Sequence, residues 1–140
     1  MTLNFFWNCF SKWKSGKEKI SCILALSNGK TFLTASCSIK LWDLEKKQVI
    51  RTFTGHATEV TALIEVPEKD DYFISAAKGD RVISAWSLSS KDKATPVASF
   101  LLQDGASSVH MASSGDESPA LLCAVTDSGI LHVFRHKLNG

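Results

Sequence analysis

The sequence has no apolar run that approaches the ~18–20 residues of a membrane-spanning helix. Its aromatic opening, Met1-Thr-Leu-Asn-Phe-Phe-Trp-Asn-Cys-Phe10, does not read as a secretory signal. Asn4 and Asn8 interrupt it, and the basic residues follow the apolar run instead of preceding it. Four cysteines, at 9, 22, 37 and 123, include no Cys-x-x-Cys pair. Cys22 and Cys123 stand inside apolar runs, where a free thiol behaves as a small hydrophobe. This usage points to a reducing compartment without a disulfide framework, the nucleus or cytosol. Nowhere do apolar residues recur with a 3.6-residue period over a helical length.

Catalytic signatures are missing too. Gly-x-Ser-x-Gly, Gly-x-Gly-x-x-Gly and the phosphate-loop pattern do not occur. Asp70-Asp71 pairs two carboxylates, but neighbours in an extended chain point to opposite faces, so a solvated hairpin loop is the better reading. His132-x-x-x-His136 has the spacing of a helical zinc pair. On a strand those residues stand ~13 Å apart, too far for two ligands each ~2 Å from one ion. His110 lies in a strand pattern and reads as packed or edge-exposed. The expectation is therefore no enzyme, no metal, no cofactor, no small-molecule substrate and no membrane partner.

What is present is ordinary for a globular chain: 21% charged and 44% hydrophobic residues, with a net charge of +2. The charge is unevenly spread. Residues 1–50 hold eight lysines against three acids, a net +5, and residues 51–140 carry a net −3. Within the basic third, Lys12, Trp13, Lys14, Lys17 and Lys19 mix cations with an aromatic ring, the composition of a weak single-stranded RNA contact. The plainer reading is a strand with lysines on its solvent edge, which discourages pairing with other chains.

Short apolar runs recur between turn residues: 19–27, 31–36, 39–42, 48–53, 60–66, 72–76, 82–86, 96–102, 107–111, 121–125 and 130–134. Runs this short at ~8–12-residue intervals predict an all-β fold. The ends of the third strands give a period. Ile39-x-Leu41-Trp42, Ile83-x-Ala85-Trp86 and Leu131-x-Val133-Phe134 share one pattern, 44 and then 48 residues apart. Four-stranded propeller blades repeat at ~40–45 residues, and the polar insert 113–118 absorbs the excess. The predicted core is Ile23, Leu33, Leu41, Trp42, Leu63, Phe73, Ile74, Trp86, Leu122 and Phe134.

Ile39-Lys-Leu-Trp42-Asp43 and Gly55-His56 resemble the signatures of the WD-repeat family. That resemblance implies a partial propeller of about three four-stranded repeats, over 9–44, 48–88 and 95–136, not closed into a ring. Each repeat, counted as the family counts it, opens with the outer strand of one blade and supplies three strands of the next. Phe10-Ser-Lys-Trp13-Lys14 is then the opening outer strand. The signature residues are Trp42, Asp43, Gly55 and Phe134, although the literal Trp-Asp occurs only in the first repeat. The resemblance further implies a polar network in the middle repeat: His56 in a loop, Ser75 on the second strand, Asp80 in the tight turn and Trp86 on the third strand. A buried imidazole and indole N–H each need partners.

A narrower resemblance runs through Trp13-Lys14, Thr34-Ala-Ser36, Phe53-Thr-Gly-His-Ala-Thr58, Asp80-Arg81, His132-Val-Phe134 and Leu138-Asn-Gly140. It is to the nucleolar WD-repeat subunits of the small-subunit processome, the transcription-coupled group associated with U3 small nucleolar RNA. It implies a non-catalytic scaffold in the nucleus and nucleolus, acting in ribosome biogenesis. The implied partners are protein subunits of the assembly complex, with a secondary contact to pre-ribosomal RNA or U3 RNA. The other expectation is a general WD-repeat adaptor, such as a substrate receptor of a ubiquitin ligase. Members of the narrower family are longer, so the chain reads as a fragment, a short isoform or an incomplete gene product. Three repeats fall short of the usual ~4–8-blade ring, and the chain is expected to be a poor soluble monomer.

Overall fold

The computed structural model describes residues 7–54, 56–66, 71–90, 95–102, 109–113, 121–126 and 129–135, with Phe100 and 109–113 described by their backbone. Among these residues every regular element is a β-strand. The first sheet is a meander of β1 (Cys22–Ala25), β2 (Thr31–Ala35), β3 (Ile39–Asp43) and β4 (Gln48–Phe53). The second repeats it with β5 (Val60–Glu65), β6 (Tyr72–Ala77), β7 (Val82–Ser87) and β8 (Ala98–Leu101). The third holds β9 (Val109–Ser113), β10 (Leu121–Thr126) and β11 (Leu131–Arg135). All neighbours are antiparallel.

Turn chemistry cuts the strands. Between β1 and β2, Gly29 takes φ +70°, and the Asn28 side-chain carbonyl accepts from the backbone N–H of Lys30 at 2.7 Å and Thr31 at 3.0 Å. This Asx-type turn needs the left-handed residue that glycine supplies. Between β3 and β4, the Asp43 carboxylate accepts from Lys46 N–H at 2.9 Å, and its carbonyl accepts from Lys47 N–H at 2.8 Å. The aspartate of Trp42-Asp43 is thus the residue that folds the chain back into the outer strand.

The sheets stack in chain order, with β5 lying beside β1 on one side and β9 on the other. Strand periodicity makes this arrangement necessary, because successive side chains face opposite ways. On β6, Phe73 belongs to the core shared with the first sheet, together with Leu33, Ile39, Leu41, Phe53, Val60, Leu63 and Trp86. Its neighbour Ile74, with Ala76, Ile83, Ala85 and Leu102, belongs to the core shared with Leu122 and Ala124 of the third sheet. The middle sheet is buried on both faces. Polar ties lock the first two sheets in register. Ser36 C=O accepts from Val60 N–H at 2.7 Å, and Arg51 donates to the carbonyls of Ser87 and Leu88 at 3.2 and 2.7 Å. The result is an open arc of a β-propeller.

Several expectations need correction. Phe10–Lys14 forms no strand; the described segment before β1 is irregular. Ile23 is 70% exposed instead of buried, because it lies on the outward face of the first sheet. Phe134 is half-buried, packed against the second core without being enclosed. Cys123 is exposed, since its register partner Val133 also faces away from the second sheet. Asp71 is more than a loop residue: its carboxylate accepts from Ser87 and Ser89 hydroxyls at 2.7 and 2.8 Å. Gly55, Asp70, His136, residues 138–140 and most of the 113–118 insert lie outside the described residues, as does the His110 side chain.

Phe73 is fully buried between the sheets, so Phe73→Ala is expected to cost about 3–5 kcal/mol. Ile50→Ala, on an exposed outer-strand position, is expected to stay within about 0.5 kcal/mol. Denaturant midpoints of the two variants check the contrast.

Candidate functional site

The most organised polar cluster lies where the loop between β4 and β5 meets the turn between β6 and β7. Thr58 donates its hydroxyl to Lys78 C=O at 2.6 Å, and Lys78 N–H donates to Glu59 C=O at 2.7 Å. Gly79, at φ +74°, closes the turn so that Asp80 N–H reaches Ala77 C=O at 3.1 Å. These ties bring His56 and Asp80 to the same end of the sheet.

Ser75 Oγ is the hub. It accepts the Trp86 indole N–H at 2.9 Å and lies 2.6 Å from His56 Nε2. With one lone pair taken by the indole, the serine proton is best placed on Nε2. That assigns the imidazole proton to Nδ1, which points at Asp80 Oδ2, 3.6 Å away. This last contact exceeds hydrogen-bond length, and the Asp80 carboxylate is 40% exposed, whereas the His56 side chain is 1% exposed. Burial therefore dominates and pushes the His56 pKa below the ordinary histidine range, while the nearby Asp80 carboxylate pulls it back up. Around this row, Phe53 meets Phe73 and Trp86 edge-on, at 5.0 and 5.7 Å between ring centroids.

Serine, histidine and aspartate stand here in the order of a nucleophilic triad. Ser75 is 0% exposed and its oxygen already accepts the indole N–H, so no substrate carbonyl can reach it. The arrangement satisfies the buried Trp86 indole N–H and the Ser75 hydroxyl, and leaves His56 Nδ1 with the Asp80 carboxylate nearby but beyond hydrogen-bond length.

The other sheets show the same logic in reduced form. In the first, Trp42 donates its indole N–H to Thr34 Oγ1 at 2.8 Å. Thr34 stands two residues past Phe32, which pairs with Trp42, as Ser75 stands two past Phe73, which pairs with Trp86. In the third, Leu122 pairs with Phe134, and two residues on is Ala124. An indole faces a hydroxyl twice; a phenyl ring, with no N–H to satisfy, faces alanine. The Thr34–Trp42 pair was missed in the sequence, where the short spacing from Thr34 to Trp42 was the available signal. So was Arg51, whose guanidinium also lies 4.5 Å from the Phe53 ring centroid.

The remaining expected residues are dispersed. Lys12, Lys14, Lys17 and Lys19 are exposed on the irregular segment before β1. Trp13 instead leans on the first sheet, 5.9 Å from Phe32 and 6.3 Å from Trp42, with Lys47 Nζ 5.9 Å from its ring. Glu18, on the same segment, accepts from Ser36 Oγ at 2.5 Å and lies 3.7 Å from Lys40 Nζ. Among the described residues no three His, Cys, Asp or Glu side chains are grouped to hold a metal ion.

No family model matches the chain. Over 143 residues it is 36% identical to human WD repeat-containing protein 43, taking in 92% of this chain and 21% of that protein. It is 36% identical over 73 residues to U3 small nucleolar RNA-associated protein 5 of Saccharomyces cerevisiae, covering 52% of this chain and 11% of that one. A third similarity, 40% over 55 residues, is to the probable E3 ubiquitin ligase complex SCF subunit sconB of Talaromyces stipitatus, with 38% and 8% covered. The chain spans 21% or less of the length of these relatives.

Two measurements probe the polar row. Ser75→Ala strands the indole N–H and is expected to cost about 1–3 kcal/mol. Adding Trp86→Phe removes the stranded donor, as Phe134 over Ala124 does naturally. The double variant is therefore expected to be more stable than the sum of the single losses, read by a thermal-melt double-mutant cycle. The second is pH. With its folded pKa held below 6.5, His56 takes up a proton in the unfolded chain before it does in the folded one. Stability is then complete above that value and falls as pH drops from 6.5 toward the folded pKa. Melting temperature should decline from about pH 7.5 to about pH 5.5, and the decline should be shallower in His56→Gln.

Proposed function

Since the chain belongs to the WD-repeat family of β-propeller proteins, a family of protein-interaction modules, we propose that it is part of a non-catalytic scaffold subunit that assembles the small ribosomal subunit in the nucleolus. The observation that carries this reading is the similarity to a yeast protein named for its association with U3 small nucleolar RNA. The longer similarity to the human WD-repeat protein supports it, because it runs along nearly the whole chain.

The mechanism is positional. Stacked sheets with a buried polar row form a rigid body, and partner binding energy then fixes the geometry of an assembly without any bond being made or broken. Protein subunits of the assembly are the main partners. The segment with Lys12, Trp13, Lys14, Lys17 and Lys19 adds a weak, salt-sensitive contact to pre-ribosomal or U3 RNA. Trp13, held against Phe32 and Trp42, contributes less to stacking on bases than the lysines do to phosphate contact.

The second reading is a general adaptor, such as a ubiquitin-ligase substrate receptor. The similarities to fungal SCF subunits favour it, but they reach only 36–48% of this chain. A tagged full-length parent protein separates the two. The scaffold reading expects nucleolar fluorescence and enrichment of U3 RNA and small-subunit assembly factors on affinity purification. Exclusion from the nucleolus, with no pre-ribosomal RNA and with ligase subunits recovered instead, leaves the adaptor.

A further inference from the structure

The turn between β1 and β2 carries a dipeptide that can modify itself. In Asn28-Gly29 the glycine backbone nitrogen can attack the asparagine side-chain carbonyl carbon, since glycine has no side chain to hinder the approach. A Cβ at Gly29 would meet no atom within 4 Å, and residues 27–30 are exposed, so water reaches the turn. The reaction balances with water as its co-reactant. A bond forms from Gly29 N to Asn28 Cγ, and the Cγ–Nδ2 bond breaks. The Gly29 N–H proton passes through solvent to Nδ2, which leaves as ammonia. Water then opens the five-membered succinimide on one side or the other. Opening at Cγ gives aspartate; opening at the backbone carbonyl gives isoaspartate, whose main chain runs through Cγ and is one methylene longer. This chemistry is one reason that asparagine is a heat-labile side chain.

The folded turn holds every group that has to move. Gly29 N–H, the nucleophile, donates to Leu26 C=O at 3.2 Å. Asn28 Oδ1 accepts from the backbone N–H of Lys30 and Thr31, and Nδ2 donates to Thr31 Oγ1 at 2.8 Å. The turn is also held from outside. Lys30 C=O accepts from Leu44 N–H at 3.0 Å, a tie within the first sheet. The second tie comes from the second sheet. Glu65, the last residue of β5, places both carboxylate oxygens 3.2 Å from Ser27 N and accepts the Ser27 hydroxyl at 3.1 Å. Ser27 lies inside the loop that the Gly29–Leu26 hydrogen bond closes. Freeing Gly29 N and turning Asn28 Cγ toward it unwinds that loop, and the Glu65 clamp opposes the unwinding.

We propose that Asn28-Gly29 is a deamidation site that the second sheet keeps closed through Glu65, so that modification there records loss of the contact between the first two sheets. The rate is that of the free dipeptide multiplied by the fraction of molecules in which the turn is open, because opening and closing are fast beside the chemistry. The two products differ in consequence. Aspartate at position 28 keeps an oxygen for the N–H groups of Lys30 and Thr31 and preserves the turn. Isoaspartate lengthens the backbone inside the turn and displaces those bonds. Its new carboxylate also adjoins the serine that Glu65 holds, and like charge disfavours the return of the clamp. Formation of isoaspartate is therefore a one-way release of the tie between the sheets.

Timed incubation of the full 140-residue chain at neutral pH tests the proposal. Trypsin releases residues 20–30 as one peptide, apart from the Asn139-Gly140 pair, and mass spectrometry reads the exchange of amide for acid in it. An isoaspartate-directed carboxyl methyltransferase counts the isoaspartate product. The wild-type chain is expected to react more slowly under native conditions than in urea. Glu65→Ala should raise the native rate by roughly 5–30-fold, the factor that a lost charged hydrogen bond corresponds to, and leave the rate in urea unchanged. Ser75→Ala, which weakens the second sheet away from the turn, should leave the native rate near that of the wild type. Equal wild-type rates in native buffer and urea overturn the proposal, as does an unchanged rate in Glu65→Ala. Equal acceleration by Ser75→Ala also overturns it, since the gate would then be unfolding of the whole chain. Circular dichroism checks that each variant is folded. Should Glu65→Ala fail to fold, Glu65→Gln, which keeps one oxygen for Ser27, carries the same test with a smaller expected rise, and no rise counts against the clamp.

Discussion

Everything in this fold follows from one constraint: a strand whose alternate residues are all apolar has two faces to bury. On β6, Phe73 and Ile74 are adjacent in sequence and enter different cores. A sheet built of such strands cannot stand alone with one face in water, and it cannot be covered by a single partner. It needs a neighbour on each side. The large apolar side chains supply most of the stabilisation, at ~1.5–3 kcal/mol each when fully buried. The backbone and side-chain ties between sheets contribute less, ~0.5–1.5 kcal/mol apiece. Their value is directional. Ser21 Oγ, donating within reach of both Ala35 and Val60 carbonyls at 3.0 and 2.7 Å, sets how far one sheet slides on the next.

The polar row at His56 is the cost of using tryptophan as the interface filler. An indole covers more apolar area than any other side chain but brings an N–H that must be satisfied. The three sheets answer that demand in step with its size. Trp42 is met by Thr34 alone, Trp86 by Ser75 backed with His56 and Asp80, and Phe134 by Ala124, where there is nothing to satisfy. The middle sheet, with neighbours on both sides, is where the polar row is longest. There the imidazole also seals the end of the interface, edge-on to Trp86 at 6.1 Å.

Much of this was legible in the sequence because turn residues are local. Asn28-Gly29 and the turn residues after Asp43 bound strands whose limits the structure moves by a few residues at most. The polar row was legible through resemblance, since nothing in the spacing of His56, Ser75, Asp80 and Trp86 brings them together without the sheet register. What escaped is what depends on neighbours. Ile23 and Leu63 read alike as apolar residues in apolar runs, and only the stacking order makes one buried and the other exposed. Cys123 was misjudged for the same reason. The segment around Trp13 has the composition of an outer strand, but a strand needs an edge to pair with, and the first sheet is already complete with β4. Trp13 keeps the ring contact that such a strand would make and lacks the ladder.

The constraint also decides where a partner can bind. Both faces of the middle sheet are spent on stacking, so no ligand surface is available there. What stays open is the outer edge and the loops. Val49 and Ile50 on β4 and Leu101 on β8 are exposed apolar residues on the outermost strands of two successive sheets. They sit on a frame held by Arg51, which reaches from β4 to the carbonyls of Ser87 and Leu88. A surface of this kind reports no chemistry of its own; its worth lies in fixed spacing. Partners that read an outer edge across several sheets gain from the rigidity that the buried cores provide, because little ordering entropy is left to lose on binding. That is the physical sense in which an arc of sheets suits protein interaction: the interior is consumed in holding a shape, and the shape is what a partner can use.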